Sequence, residues 1–302
     1  MEELLKGTAA YKILLGDRLG GRLSHAYMLH FPDPFNLRRA LRLFALEIFG
    51  AEEDSRDGRL ILSEGLADMK VYPRTDKKLT VAEATEIVDD AAIRPIEKAI
   101  KLYVVSDFDS SSPLFQNKLL KVLEEPPSGV YFLLGASTLS PVLDTIISRV
   151  RLLEIPPFTS DEIYQALQRQ VKDNRNRQVS QASGGILGRA QSMLDGEWYA
   201  AVHSAAEEIC AASDLSKAVK AAVKYGDTKY KAELLAEMQR LYFGELKRYA
   251  ADEEYVGALS RGALVAAADG INAALRELKF NANFPSLLLS LLTKVATENA
   301  KW

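Results

Sequence analysis

The sequence predicts an α/β domain with a mainly parallel sheet, followed by domains built only from helices. Up to about residue 157, short apolar runs typical of buried strands alternate with segments of helical spacing, which is the pattern of βαβ units. Beyond Pro156-Pro157, where regular structure cannot continue, no strong strand signal remains. We therefore expect an α/β domain over 1–157, a small helical domain over 158–196 and a larger helical domain over 197–302.

The elements of the first domain follow from the spacing of apolar residues. Apolar runs predict strands at 25–31, 69–72, 101–105, 130–136 and 150–155. Apolar residues three and four positions apart predict helices at 4–19, 37–49, 80–92, 113–123 and 142–147. Thr80 precedes Glu83 by three residues, which is a capping-box pattern at a helix start. Residues 51–66 are expected to form an irregular, partly charged connection.

After the proline pair, every predicted element is a helix. Thr159-Ser160-Asp161-Glu162 is expected to open one helix, and Gly184-Gly185 separates it from another at 187–194. From about residue 197 to 302 the sequence is rich in Ala, Leu, Lys and Glu with helical periodicity. This part is expected to form a helical bundle without a sheet.

Composition excludes several classes of function. The 302 residues carry 38 basic and 41 acidic side chains, so the chain as a whole is not a basic nucleic-acid coat. The single cysteine, Cys210, has no partner for an internal disulfide or a cysteine-rich zinc site. The N-terminus lacks the apolar core of a signal peptide, and the apolar stretch 284–292 is far shorter than the roughly 20 residues that span a bilayer. We expect a soluble, cytoplasmic protein that does not bind membranes.

One motif is far more specific than the rest of the chain. Residues 117–127 read N-K-L-L-K-V-L-E-E-P-P, and Ile147-Ser148-Arg149 follows the next predicted strand. The segment 101–153, which contains both, resembles the corresponding stretch of bacterial DNA polymerase III clamp-loader subunits, members of the AAA+ family. Weaker similarity begins at Gly7, and Asn281-Ala282-Asn283 is similar to the end of the family's helical collar. The resemblance thus covers most of the chain.

The resemblance implies an AAA+ module, made of the α/β domain and a helical lid, and a collar that packs against sister subunits. It also implies the partners: ATP-binding gamma/tau-type subunits, the clamp-opening delta subunit, primed DNA through the assembled complex, and the sliding clamp, weakly or indirectly. The complex serves a DNA-directed DNA polymerase holoenzyme, a nucleotidyltransferase assembly at the bacterial replisome. Its ATP-binding members hold the nucleotide with a glycine-rich loop after the first strand.

The residues that stand at the position of this loop are unsuited to phosphate. A phosphate loop needs glycines whose N–H groups wrap phosphate oxygens, followed by a lysine for the outer phosphates. The eight residues found there are Phe31, Pro32, Asp33, Pro34, Phe35, Asn36, Leu37 and Arg38. The two prolines lack an amide N–H, Asp33 brings a negative charge, and Leu37 replaces the lysine. We expect no nucleotide or other cofactor here; Arg38 or Arg39 as a substitute for the lysine is the less favoured alternative.

Arg149 is the residue that the resemblance assigns to chemistry. The family carries a Ser-Arg-Cys motif whose arginine lies beside the γ-phosphate of a neighbouring subunit, and such arginine fingers act in trans. Ser148 and Arg149 stand at these positions, with Val150 in place of the cysteine. The alternative is an ordinary surface ion pair, for example with Glu154. The chain itself is expected to be catalytically inactive.

Two acidic pairs have structural roles that we favour over catalytic ones. Asp107 and Asp109 follow a strand where an ATPase keeps its magnesium carboxylates. Without a phosphate loop they are expected to be turn or helix-cap residues. Glu124 and Glu125 are expected to end a helix before Pro126, since the residue before a proline avoids helical geometry.

Several other positions correspond to functional regions of the family. Thr138 resembles a nucleotide-sensing position, and 184–190 matches a second sensor region, although a plain helix–helix connection also explains its glycines. The family's four-cysteine zinc module has no counterpart in 49–66, so no metal is expected. Candidate contacts to DNA phosphates, for which solvated helix faces are the commoner role, are Lys77, Lys78, Lys118 and Lys121.

The favoured interpretation is a non-ATP-binding clamp-loader subunit that supplies Arg149 to an adjacent ATP site while the sliding clamp is loaded during replication. Two related alternatives remain: an ATP-binding paralogue and the clamp-opening subunit. A helical nucleic-acid-binding protein outside the family is a third.

Overall fold

The computed structural model describes residues 1–74, 78–252, 256–278 and 280–301. The chain divides into two compact units, residues 1–191 and 192–302. The finer division into three domains, with boundaries near 157 and 196, stays a prediction.

The first unit contains a parallel sheet. Its strands are β1 (Ala26–His30), β2 (Met69–Tyr72), β3 (Lys101–Val105), β4 (Val130–Ala136) and β5 (Arg151–Glu154). They are hydrogen-bonded in the order β2-β3-β4-β1-β5, and each neighbouring pair is parallel. The α/β prediction is therefore confirmed, and the predicted bounds of β2, β3 and β4 match those of the structure.

Both faces of the sheet are covered by apolar side chains. Tyr27 and Leu29 of β1 pack into one core, whereas Met28 of the same strand packs into a second core with Tyr103 and Phe132. Because alternate residues of a strand point to opposite faces, a strand buried on both faces reads as a continuous apolar run. This is why the strands could be recognised from the sequence.

Helices connect the strands and continue beyond the sheet. They are α1 (Glu2–Lys6), α2 (Ala9–Leu19), α3 (Pro34–Phe49), α4 (Arg56–Leu62), α5 (Val81–Ala91), α6 (Pro113–Glu124), α7 (Asp144–Ile147), α8 (Ser160–Gln170), α9 (Asn176–Ala182) and α10 (Leu187–Asp195). The capping box predicted at Thr80 is present, with Glu83 as the reciprocal partner. Thr159 and Glu162 form a second capping box at the start of α8.

Three helix predictions need correction, and side-chain caps explain each of them. The stretch 4–19 is two helices, because the Thr8 hydroxyl accepts the N–H of Tyr11 and begins α2 afresh. The supposedly irregular segment 51–66 contains α4, which Ser55 caps. Helix α3 begins at Pro34 rather than at residue 37, because Asp33 caps it and Pro34 suits the first helical turn.

The second unit is helical among its described residues, as the sequence predicts. Its helices are α11 (Trp198–Cys210), α12 (Leu215–Tyr225), α13 (Lys231–Ala251), α14 (Arg261–Leu278) and α15 (Phe284–Asn299). Their core includes Leu235, Met238, Ile271 and Leu288. Across the described parts of the chain, no helix has the length and apolar character required to cross a membrane.

Candidate functional site

The loops singled out by the sequence follow the carboxyl ends of three neighbouring strands. In β1 and β4, His30 pairs with Ala136, and in β3 and β4, Val105 pairs with Leu134. The loops after β1, β3 and β4 therefore meet at one edge of the sheet. This is the edge at which open parallel sheets bind ligands.

In the loop after β1, the carboxylate of Asp33 occupies the start of α3. Asp33 is 1% exposed and accepts hydrogen bonds from the Asn36 backbone N–H (3.2 Å) and from Asn36 Nδ2 (2.9 Å). The backbone N–H of Gly188, in the first turn of α10, donates to its Oδ2 at 2.8 Å. The carboxylate is thus bonded to N–H groups in the first turns of two helices.

The other residues of this loop are used for packing or for ion pairs. Phe31 is buried against Phe158, with ring centroids 6.2 Å apart, and Leu37, at the lysine position, is fully buried in the core. Arg38 donates to both carboxylate oxygens of Glu64, at 2.8 and 2.5 Å, and this pairing lowers the pKa of Glu64. Arg39 pairs with Glu2 at 3.1 Å. Both arginines proposed as substitutes for the lysine are therefore engaged with carboxylates of their own chain.

The acidic residues after β3 connect two loops of the same edge. Asp107 has a left-handed backbone (φ 53°) and precedes a short 3₁₀ turn, Phe108–Ser110. Oδ2 of Asp109 accepts hydrogen bonds from the Ser137 hydroxyl at 2.7 Å and from the Thr138 backbone N–H at 3.2 Å. Asp109 thereby joins the loop after β3 to the candidate sensor position after β4. These contacts agree with the structural role that the sequence favoured.

Arg149 lies between α7 and β5, and its guanidinium is bonded to its own chain. Nη1 donates to the Thr145 carbonyl at 3.0 Å and lies 3.3 Å from the Ser148 hydroxyl. Nη2 lies 3.1 Å from Oε1 of Glu124. Nε is buried and has no hydrogen-bond partner among the described residues. The side chain is 30% exposed, so the guanidinium is only partly covered.

The partner of Arg149 differs from the one suggested by the sequence. Glu154 lies at the carboxyl end of β5, where its carboxylate is 3.5 Å from Nδ1 of His30. Arg149 precedes the amino end of that strand and instead contacts Glu124, at the end of α6. The motif of 117–127 therefore contacts the candidate arginine finger through Glu124.

Comparison with known proteins gives the family. The sequence profile described as "DNA polymerase III, delta subunit" matches residues 8–159, half of the chain. The chain belongs to this DNA polymerase III delta subunit family. The match covers all five strands and both regions discussed above, the loop of 31–38 and the segment around Arg149.

Individual relatives carry the names of several DNA polymerase III subunits. Subunit delta' of Bacillus subtilis is 29% identical over 153 residues, which cover 49% of this chain and 46% of the relative. Subunit gamma of Buchnera aphidicola (from Acyrthosiphon pisum) is 28% identical over 153 residues, which cover 49% and 42%. Subunit tau of B. subtilis is 26% identical over 197 residues, which cover 61% and 35%. The matched region spans less than half the length of each of these relatives.

One buried polar residue that the sequence did not single out supports the segment before Arg149. Gln116 of α6 is fully buried, and its Nε2 donates to the Pro141 carbonyl at 3.1 Å. Its Oε1 accepts the backbone N–H of Leu143 at 2.9 Å. Gln116 thus orients the segment that leads into α7 and Arg149. The signal was available, because Gln116 is three residues before Leu119 and falls on the apolar face of the helix.

The remaining candidates from the sequence are the glycine-rich segment 184–190 and the lysines considered for DNA contacts. Gly185 has a φ of 82°, and a Cβ there would lie 2.4 Å from the Phe158 carbonyl oxygen, so this glycine serves a close chain approach. Lys118 donates to the Thr85 hydroxyl at 2.6 Å. Lys78 and Lys121 are exposed, and Lys77 lies outside the described residues.

Neither the cysteine nor a cluster of ligands indicates metal chemistry in the described parts of the chain. Within those ranges, no three His, Cys, Asp or Glu side chains are grouped as a metal site. Cys210 is largely covered by the helical core of the second unit, and burial raises the pKa of its thiol to about 12. A thiol with so high a pKa is protonated at neutral pH and is a poor nucleophile.

Proposed function

We propose that this chain is the delta-prime subunit of a bacterial DNA polymerase III clamp loader, a member that binds no ATP and donates Arg149 to a neighbour. The supporting observation is a contrast between two positions. Asp33 and Leu37, which stand where the resemblance puts the phosphate loop, are buried, while Arg149 is partly exposed at the other edge of the sheet.

The distance between these two positions favours action on another subunit. The loop of 31–38 follows the carboxyl end of β1, whereas Arg149 precedes the amino end of β5, which is parallel to β1. The five residues of β1 rise about 3.3 Å each, so about 16 Å of strand separates the two edges. A guanidinium at the amino edge is too far from a ligand at the carboxyl edge of the same sheet.

The chemistry of Arg149 suits a phosphate supplied in trans. A guanidinium is always charged and presents a planar fork of N–H donors, which matches the oxygens of a transferring phosphoryl group. The bond of Nη1 to the Thr145 carbonyl limits the side chain's freedom, while the exposed part of the guanidinium, which pairs with the exposed Glu124 through Nη2, could exchange that partner for an incoming anion. Stabilising charge that develops during hydrolysis is the role of an arginine finger.

The test is a reconstituted complex that contains Arg149→Ala in this subunit. Removal of an arginine finger should slow hydrolysis at the adjacent ATP site by about a hundredfold or more, and clamp loading should fall with it. Arg149→Lys should be nearly as poor, because an ammonium lacks the planar fork. The matched control is Arg177→Ala, which breaks an exposed ion pair with Asp161. Co-elution of every variant with its sister subunits must be verified; unchanged DNA-stimulated ATPase in Arg149→Ala would refute the proposal.

The names of two relatives favour a second candidate, an ATP-binding paralogue. Subunits gamma and tau match this chain about as well as delta' does. Equilibrium binding of labelled ATP to the isolated chain separates the two candidates. We expect no magnesium-dependent binding, because Asp33 and Leu37 occupy the loop; tight binding would favour the paralogue.

The proposed role defines partners and place. As a delta-prime subunit the chain would assemble with gamma/tau-type and delta subunits into a hetero-oligomer in the bacterial cytoplasm, at the replisome. It would meet primed DNA through that complex, and the sliding clamp weakly or indirectly. Direct, strong binding of the isolated chain to the clamp would instead indicate the clamp-opening delta subunit.

A further inference from the structure

The Asp33 carboxylate connects two helices that are far apart in sequence. It caps α3 through Asn36 and also accepts the Gly188 N–H in the first turn of α10, at 2.8 Å. Nδ2 of Asn36 contributes to the same connection, because it also donates to Oε1 of Gln191 at 3.0 Å. With 1% of its surface exposed, the carboxylate is shielded from solvent, which strengthens bonds to a charged acceptor.

Gly188 is required for this close approach. A Cβ at position 188 would lie 2.3 Å from Oδ1 of Asp33 and 2.6 Å from Cβ of Phe35. Non-bonded contacts of a Cβ atom are essentially never this short, so a larger residue would force the loop and α10 apart. The link between α3 and α10 therefore needs both the carboxylate of Asp33 and the missing side chain of Gly188.

We propose that Asp33 is a built-in anion that takes the position of a bound phosphate and fastens the first turn of α10 to the start of α3. The first turns of helices are the places where proteins bind phosphate, because free N–H groups and the helix dipole favour negative charge. Here a side chain of the protein accepts one backbone N–H from the first turn of each helix. The α3–α10 contact consequently persists without a nucleotide, and it does so whatever the role of Arg149.

Hydrogen exchange of the full chain, followed by mass spectrometry, tests the proposal through the amides of residues 187–191. Asp33→Ala should speed their exchange about tenfold to a hundredfold, the range expected for loss of hydrogen bonds to a charged group. Inorganic phosphate at millimolar concentration should slow exchange again in this variant, because it fills the vacated anion position, and it should not alter the wild type. Amides of α14 should be unchanged and serve as the internal reference.

Two further variants distinguish loss of the Asp33 charge from a nonspecific loosening of the fold. Gly188→Ala should also speed exchange at 187–191, but phosphate should not restore it, because the added methyl group occupies the space. Gly16→Ala is the control, since a Cβ there meets no atom within 4 Å. If Asp33→Ala does not fold, Asp33→Asn keeps the shape without the charge and should show a several-fold rise that phosphate does not reverse.

Three outcomes would overturn the proposal. The first is unchanged exchange at 187–191 in both Asp33→Ala and Gly188→Ala. The second is faster exchange in Asp33→Ala that phosphate leaves unaffected, which would make Asp33 a mere cap. The third is a wild type that phosphate protects as strongly as it protects Asp33→Ala.

Discussion

The candidate residues at the two edges of the sheet differ in how far they are buried. At the carboxyl edge, Asp33 and Leu37 are buried, and the Asp33 carboxylate accepts the Gly188 N–H in the first turn of α10. At the amino edge, Arg149 keeps 30% of its side chain exposed, and its Nε has no hydrogen-bond partner in the described ranges of the chain. Asp33 and Leu37, in the loop after β1, are thus part of the packing of the first unit, whereas the side chain of Arg149 is only partly covered.

The largest effect is expected when a lysine is placed at position 37, where a phosphate loop would carry one. Leu37→Lys would place a charge at a fully buried position, and we expect the free energy of unfolding of the first unit to fall by about 4 kcal/mol. Phe35→Lys is the matched control, because Phe35 is 69% exposed, and its effect should stay within about 0.5 kcal/mol. Denaturant unfolding of both variants measures the difference. Equal stability of the two variants would show that the loop is not part of the core.

A smaller effect is expected from the ion pair that ends the same loop. The guanidinium of Arg38 lowers the pKa of Glu64, so this carboxylate stabilises the fold above its ordinary titration range near pH 4. That contribution is lost as the pH falls through the lowered pKa. Arg38→Ala should cost about 1–2 kcal/mol at pH 7 and less at strongly acid pH, where the bond from Nη1 to the Pro73 carbonyl is still lost. Thermal unfolding at several pH values checks this; a loss of stability independent of pH would contradict it.

The strands and helices that form the two edges could be predicted from the sequence better than the side-chain contacts at those edges. Strands β3 and β4 were recognised because burial on two faces produces nearly continuous apolar runs, whereas β2, at the edge of the sheet, gave a weaker signal because it contains Lys70 and is only partly buried in its middle. Helix α4 was missed because seven residues with an internal glycine give too little periodicity. Pairing of Asp33 with Gly188, or of Arg149 with Glu124, depends on which distant segments the tertiary fold brings together. Local spacing contains no information on such pairs, so the sequence could identify the residues without their partners.

The smallest expected effect concerns Glu124, the carboxylate that contacts Arg149. Glu124 is 57% exposed on its side chain, and exposed ion pairs are worth less than about 1 kcal/mol, so Glu124→Gln should hardly change stability. If Arg149 is held mainly by the Thr145 carbonyl, the ATPase of a reconstituted complex should also stay within about threefold of wild type, far from the loss expected for Arg149→Ala. A loss as large as that of Arg149→Ala would mean that Glu124 orients the guanidinium.

The 117–127 motif would then contribute a carboxylate that orients the finger, in addition to its core leucines. In that case Glu124→Asp, which keeps the charge on a shorter side chain, should retain more activity than Glu124→Gln.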